Sequence, residues 1–196
     1  MHNLMIYEGI IVTRTADGGA HITPMGFRLE NERVLLRPFV PSTTLNHLRE
    51  QRSAALCITD DVRVMAGALT GRRDWSVVPT ERIDGWRLAD CQAHWEVEVE
   101  SQREDEIRPS FECLIVHHGN HLPAAFFNRA QAAVYEAAIL VSRLDMISSE
   151  KLLEELTYLN IAISKTAGPR ERQAWRWLIE AAAGHPNHDI ATESLL

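Results

Sequence analysis

In the stretch "VLLRPFVPSTTLNHL" an arginine, Arg37, precedes a proline, and three hydroxyl residues, Ser42, Thr43 and Thr44, open a helix-like run. A bound phosphate needs a fork-shaped cation and several hydroxyl or amide donors, best supplied at a helix N-terminus where backbone N–H groups lack partners. Arg37 at a strand end and the three hydroxyls are those parts at a workable spacing. Just upstream, Pro24-Met25-Gly26 sets a residue without a β-carbon in a strand-like run, where backbone can lie against a flat ring. The same residues also read as a plain N-cap at Ser42 or Thr43, a bulge at Gly26 and a surface ion-pair partner at Arg37. From the residues alone both readings stay open.

Two other clusters invite chemistry. "HHGNH" holds His117, His118 and His121, but adjacent histidines in a strand point to opposite faces, so at most two could meet one ion without a reversal. The expectation is a polar strand-to-helix loop and no metal. "TDD" (Thr59, Asp60, Asp61) could pair carboxylates for acid–base work, yet acids at a strand end more often cap the next helix, and "TDDVRVMAGAL" has that form. No GxGxxG, GxxxxGK[ST], GxSxG or HExxH pattern occurs, and no catalytic residue can be named.

The elements that must position these residues fall into two textures. From Ile6 to about His118 short apolar runs alternate with turn signals: "EGIIVTRT", the turn "ADGGA", "HITPMGFRL", the turn "ENER", then "VLLRPFV". "CQAHWEVEVESQRE" alternates cleanly, with Cys91, Ala93, Trp95, Val97 and Val99 on one face and Glu96, Glu98 and Glu100 on the other, a half-buried antiparallel strand. "SFECLIVHH" is its expected partner across "EDEIRP". After about Pro123 the pattern is helical. One helix carries Phe126, Ala130, Ala133, Ala137, Leu140 and Leu144, and a second carries Leu152, Leu156, Leu159 and Ile163. A third restarts after Gly168-Pro169 and stops at Gly184. The expected class is α+β: a compact β-barrel or sheet over 1–122, helices over 123–184 packing on it and on a dimer interface, and a frayed tail over 185–196.

The whole chain, 196 residues with 45% hydrophobic and 24% charged composition, bounds the partners. That length buries a real core. The net charge of −7, with 18 arginines among 20 basic residues and no basic run, disfavours nucleic acid and anionic lipid. The first residues do not form a signal peptide, and the apolar runs are too short to span a bilayer. Three widely spaced cysteines, Cys57, Cys91 and Cys113, fit reduced structural thiols and a cytoplasmic location.

The order "YEGIIVTRTADGGAHITPMGF", "LLRPFVPSTTLNHL", "ALCITDD", followed by "FFNRAQAAVYEAAILVSRL" and "LTYLNIAISKTAGPRERQAW", resembles a domain-of-unknown-function family with the flavin-binding split-barrel fold. That family is found in methanogens and methanopterin-using bacteria, and the likeness runs from about Tyr7 to Trp177. The resemblance implies a six-stranded Greek-key split barrel, a homodimer, and FMN at the subunit interface, in distant kinship with flavin reductases and pyridoxamine-phosphate oxidases. It implies Thr23, Pro24, Met25 and Gly26 beside the isoalloxazine ring, and Arg37, Ser42, Thr43 and Thr44 at the phosphate. Asn46, Thr59 and Asp60 would lie nearby, and Asn128 and Arg129 would close the site. His21 departs from the asparagine-like residue expected before "ITPMG".

The function so implied is an FMN-binding, oxidoreductase-like protein drawing electrons from a nicotinamide nucleotide, in which the cofactor carries the redox chemistry. The alternative is a flavin- or pterin-binding sensor, carrier or assembly partner in one-carbon metabolism. Dimerisation has a second argument: Phe126, Phe127, Val134, Tyr135, Ile139 and Leu140 on one helix, and Trp175, Trp177, Leu178 and Ile179 on another, are apolar on more than one face. A helix sandwiched within one chain would look the same.

Overall fold

Asp17, Gly18 and Gly19 reverse the chain between β1 (Ile6–Arg14) and β2 (Ala20–Glu30). Gly18 sits at φ +87°, which favours a residue without a β-carbon, and Thr15 N–H closes the turn on the Gly19 carbonyl at 2.9 Å. The computed structural model describes residues 5–30, 32–123 and 126–196. The "ENER" reversal between β2 and β3 (Arg33–Leu36) includes Asn31, which lies outside the described residues; Glu32 beside it adopts φ 63°.

Helix α1 (Thr43–Gln51), β4 (Ser53–Ile58), helix α2 (Val62–Leu69) and a short hairpin, β5 (Val77–Pro79) with β6 (Trp86–Leu88), precede the two long strands β7 (Ala93–Arg103) and β8 (Ser110–Asn120). Six strands close into an antiparallel barrel in the order β1-β2-β3-β8-β7-β4, the Greek-key arrangement that the sequence led us to expect. The barrel belongs to one compact unit, residues 1–59 and 75–124. Strand alternation fills it: Ile11, Phe27, Val34, Leu36, Val97 and Phe111 point inward, and α1 adds Leu45 and Leu48 from its apolar face. Each such side chain, once buried, stabilises the fold by about 1.5–3 kcal/mol.

The second unit, residues 60–74 and 125–196, is helical: α2, α3 (Arg129–Val141), α4 (Ser149–Thr166) and α5 (Pro169–Ala183). Ala130, Ala133, Ala137 and Ala138 give α3 a buried small-residue face, against which Leu152, Leu156, Trp175, Leu178 and Ile179 complete a separate core. Gly184 caps α5 where its pattern stops. Among the described residues no helix is long and apolar enough to cross a membrane.

Five expectations need correction. Helix α3 begins at Arg129, so Phe126 and Phe127 precede it and are 97% and 82% exposed. Val134, Trp175, Leu178 and Ile179, offered as dimer contacts, are buried within the chain. The tail is packed rather than frayed: Ile190 and Leu195 are buried, and Trp175 Nε1 donates to the Leu195 carbonyl at 2.7 Å. His117 and His118 lie in β8, not in a loop. Glu96, assigned to the solvent face, is fully buried, because the connection from β5 to β6 folds over it.

Candidate functional site

Arg37 lies one residue beyond β3, and Arg108 comes back to it on the loop between β7 and β8. Each precedes a proline, which holds it in extended backbone. Asp105 shapes that loop by accepting the N–H groups of Ile107 and Arg108 at 2.9 and 2.7 Å. Val40 N–H donates to the Ile107 carbonyl, and Arg108 Nε and Nη2 donate to the Arg37 carbonyl at 3.2 and 3.0 Å. The Arg108 guanidinium covers the Phe39 ring, 4.2 Å from its centre.

A third guanidinium joins them. Phe27 and Leu29 pack toward the barrel interior, so Arg28 between them projects outward. Burial lowers the Arg108 pKa, and the positive charges of Arg37 and Arg28 lower it further. Arg28 Nε and Arg37 Nε are buried without a hydrogen-bond partner. Arg37, Arg103, Arg108, Ser101 and Ser110 line an open depression of about 400 Å³ that also receives Glu104, Asp105 and Glu112. Three neighbouring guanidinium charges, two of them with unused Nε–H groups, suit a multi-oxygen anion, which would supply acceptors and relieve the repulsion together.

The structure sorts the other sequence candidates. In the unbroken β1–β2 ladder, Met25 packs against the interior, so Thr23 shares its side while Pro24 and Gly26 share the outer face with Arg28. The four do not present one side-chain face. Gly26 pairs in register with Glu8 and is no bulge; a β-carbon there would meet Ile6 Cγ2 at 3.1 Å and a Glu8 carboxylate oxygen at 3.3 Å. Ser42 is an N-cap whose Oγ accepts the Leu45 N–H at 3.2 Å. Thr44 is buried, while Thr43 and Asn46 are exposed. His21 meets His47 edge-on, and His47 Nδ1 lies 2.9 Å from Thr13 Oγ1.

Thr59 closes the barrel segment, whereas Asp60, Asn128 and Arg129 belong to the helical unit. Both ends of the Asn128 amide are engaged there: Oδ1 accepts from Ala130 N–H at 2.8 Å, capping α3, and Nδ2 donates to the Thr166 carbonyl at 3.1 Å. Asp61 caps α2, as "TDDV" led us to expect. Sequence reasoning missed Arg28 and Arg108. The repeated Arg-Pro pair was a visible signal, but only the β3–β8 pairing brings its two copies together.

Residues 7–121 match the family model described as "Protein of unknown function (DUF447) N-terminal domain", and residues 128–180 match that described as "Protein of unknown function (DUF447)". No curated protein matches the chain. Among solved structures, an FMN-bound protein of Methanosarcina mazei assigned to the same family superposes with TM-score 0.78 at 20% identity, covering 91% of this chain and 96% of that one. A 2-nitrobenzoate 2-nitroreductase of Pseudomonas fluorescens gives TM-score 0.50 at 15% identity, over 58% of this chain and 64% of its own. A putative flavin reductase of Haemophilus somnus gives 0.50 at 13%, over 61% and 82%. The barrel is thus of the flavin reductase-like split-barrel type, with helices added at its C-terminal end.

Proposed function

This chain belongs to the DUF447 family, and from that membership we propose that it is an FMN-binding flavoprotein with an oxidoreductase-like role, acting as a cytoplasmic homodimer. The observation that carries the reading is the meeting of Arg28, Arg37 and Arg108, two of them with buried, unused Nε–H groups. The FMN-bound relative of the same family supports it. Bound FMN would supply hydride and electron transfer, with a nicotinamide nucleotide as its reductant. The chain's own residues bind and orient: the three arginines hold the phosphate, and Pro24 and Gly26 lie on the same outer face of β2 as Arg28. Thr43 and Asn46 are exposed beside them in sequence and free to add donors. The exposed Phe126 and Phe127 support the dimer, and three buried free cysteines support a reducing compartment.

The test is an absorption spectrum of the purified chain before and after FMN addition and desalting. Retained flavin bands, bleached on mixing with NADH or NADPH, are the expected result. A protein colourless both times overturns the reading. Bands that no nicotinamide bleaches would leave a binding role without turnover.

A further inference from the structure

Outside the arginine site, four side chains converge beneath the β5–β6 connection. His94, fully buried on the outer face of β7, sets Nε2 3.0 Å from Glu81 Oε2 and 3.1 Å from Glu96 Oε1. His117, directly across from Glu96 on β8, brings Nε2 to 3.9 Å from that same Glu81 oxygen. One ligand atom from each of the four lies within 4.8 Å of the others. We propose that Glu81, His94, Glu96 and His117 bind a divalent first-row transition cation.

The spacings of 3.0 and 3.1 Å serve hydrogen bonds as well as an ion, and the third separation points to a shared centre. Ligands at about 2.0–2.2 Å from a tetrahedral ion stand about 3.3–3.6 Å apart, and the observed 3.0, 3.1 and 3.9 Å bracket that range. At 3.9 Å His117 makes no hydrogen bond with Glu81, yet both serve one centre if an ion lies between them. Glu96 has capacity left. Its carboxylate takes the Glu81 N–H on Oε1 and the Arg82 and Ile83 N–H groups on Oε2. Of about four lone-pair positions, the remaining one is on Oε1, toward His94.

The second ring nitrogen of His94 is also held: Nδ1 lies 2.9 Å from His121 Nε2. Metal-bound histidines have such a partner for the nitrogen they do not use. In the tautomer that donates Nδ1–H to His121, Nε2 turns its lone pair toward two carboxylate oxygens, and a cation between them would bind all three; in the other tautomer Nε2–H donates to the carboxylates. Gly119 makes room for the ring, since a β-carbon there would fall 2.4 Å from His94 Cε1. Two imidazoles and two carboxylates without thiolate suit zinc, iron, manganese or cobalt rather than copper(I), and the imidazoles disfavour magnesium and calcium.

The probe is zinc. The full chain, stripped with a chelator, is titrated with ZnCl2 by calorimetry, its zinc is counted by mass spectrometry, and its Tm is followed. Uptake of one equivalent is expected, with a Tm rise that saturates at that equivalent. His94→Ala risks unfolding the chain, so the partly exposed ligands carry the test. His117→Ala and Glu81→Gln keep the native circular dichroism and weaken zinc binding at least about tenfold, while His185→Ala, at a separate histidine pair, leaves it unchanged. Absence of stoichiometric uptake at micromolar zinc overturns the site, as does uptake indifferent to both substitutions. Neither outcome depends on whether flavin binds.

Discussion

His117 faces Glu96 across β7 and β8 because the register shifts between Glu96 and Val97, leaving Val116 without a partner. Phe111, Cys113 and Ile115 alternate toward the barrel interior, and unbroken alternation would have sent His117 after them. The bulge turns it outward instead, onto the face of His94 and Glu96. A bulge next to a cluster of ligating side chains re-aims one of them, and the following consequences can be measured.

Arg37→Ala should release FMN while the chain stays folded, because the arginine head lies outside the barrel core. Loss of one charge-assisted contact costs about 1.5–3 kcal/mol, roughly 10- to 150-fold in affinity. Arg108→Ala should match it in direction. Fluorescence titration with FMN decides; unaltered affinity in both variants would remove the phosphate assignment.

Gly119→Ala should destabilise the barrel by about 1–3 kcal/mol, the usual cost of overpacking, because the new methyl meets the His94 ring at 2.4 Å. Urea unfolding of the wild-type and variant chains reads the loss; equal stability would mean that the ring is not the obstacle.

Asp61→Asn should flatten the acid limb of stability. Burial pushes the Asp61 pKa up, but the Arg63 guanidinium and backbone N–H outweigh it and hold the group below its ordinary value of 3.8. A carboxylate with a lowered folded-state pKa contributes stability that is present above its unfolded pKa and lost as pH falls through the folded one. The wild-type chain should therefore lose stability more steeply than the variant as pH drops below about 4. Asparagine still caps a helix well, so the difference isolates the charge. Parallel slopes would show that the pair contributes nothing.

Removal of residues 189–196 should destabilise the helical unit by about 3–6 kcal/mol, from two apolar side chains at about 1.5–3 kcal/mol each. Ile190 and Leu195 are buried, and the Leu195 carbonyl accepts from Trp175 Nε1. Tryptophan fluorescence during thermal unfolding reads the loss; an unchanged transition would show that the packed tail adds no stability.

Much of the fold was legible because burial leaves a local period. Val97 and Val99 alternate inward, Leu152, Leu156 and Ile163 recur on one helix face, and Gly184 stops α5. The caps at Ser42 and Asp61 were legible for the same reason, since a cap satisfies N–H groups two or three residues away. The sites depend on distances in sequence that no local pattern spans. Arg37 meets Arg108, 71 residues later, only because β3 pairs with β8. Glu96 looked like one more exposed acid in an alternating strand, and became buried because the N–H groups of Glu81, Arg82 and Ile83 close over it. Residue types and periodicity by themselves determined the α+β order of strands then helices and Arg37 as one candidate for an anion, while the family resemblance of the motifs supplied the closed barrel. Cross-strand register and loop closure, which are settled between distant segments, decided which side chains stand together.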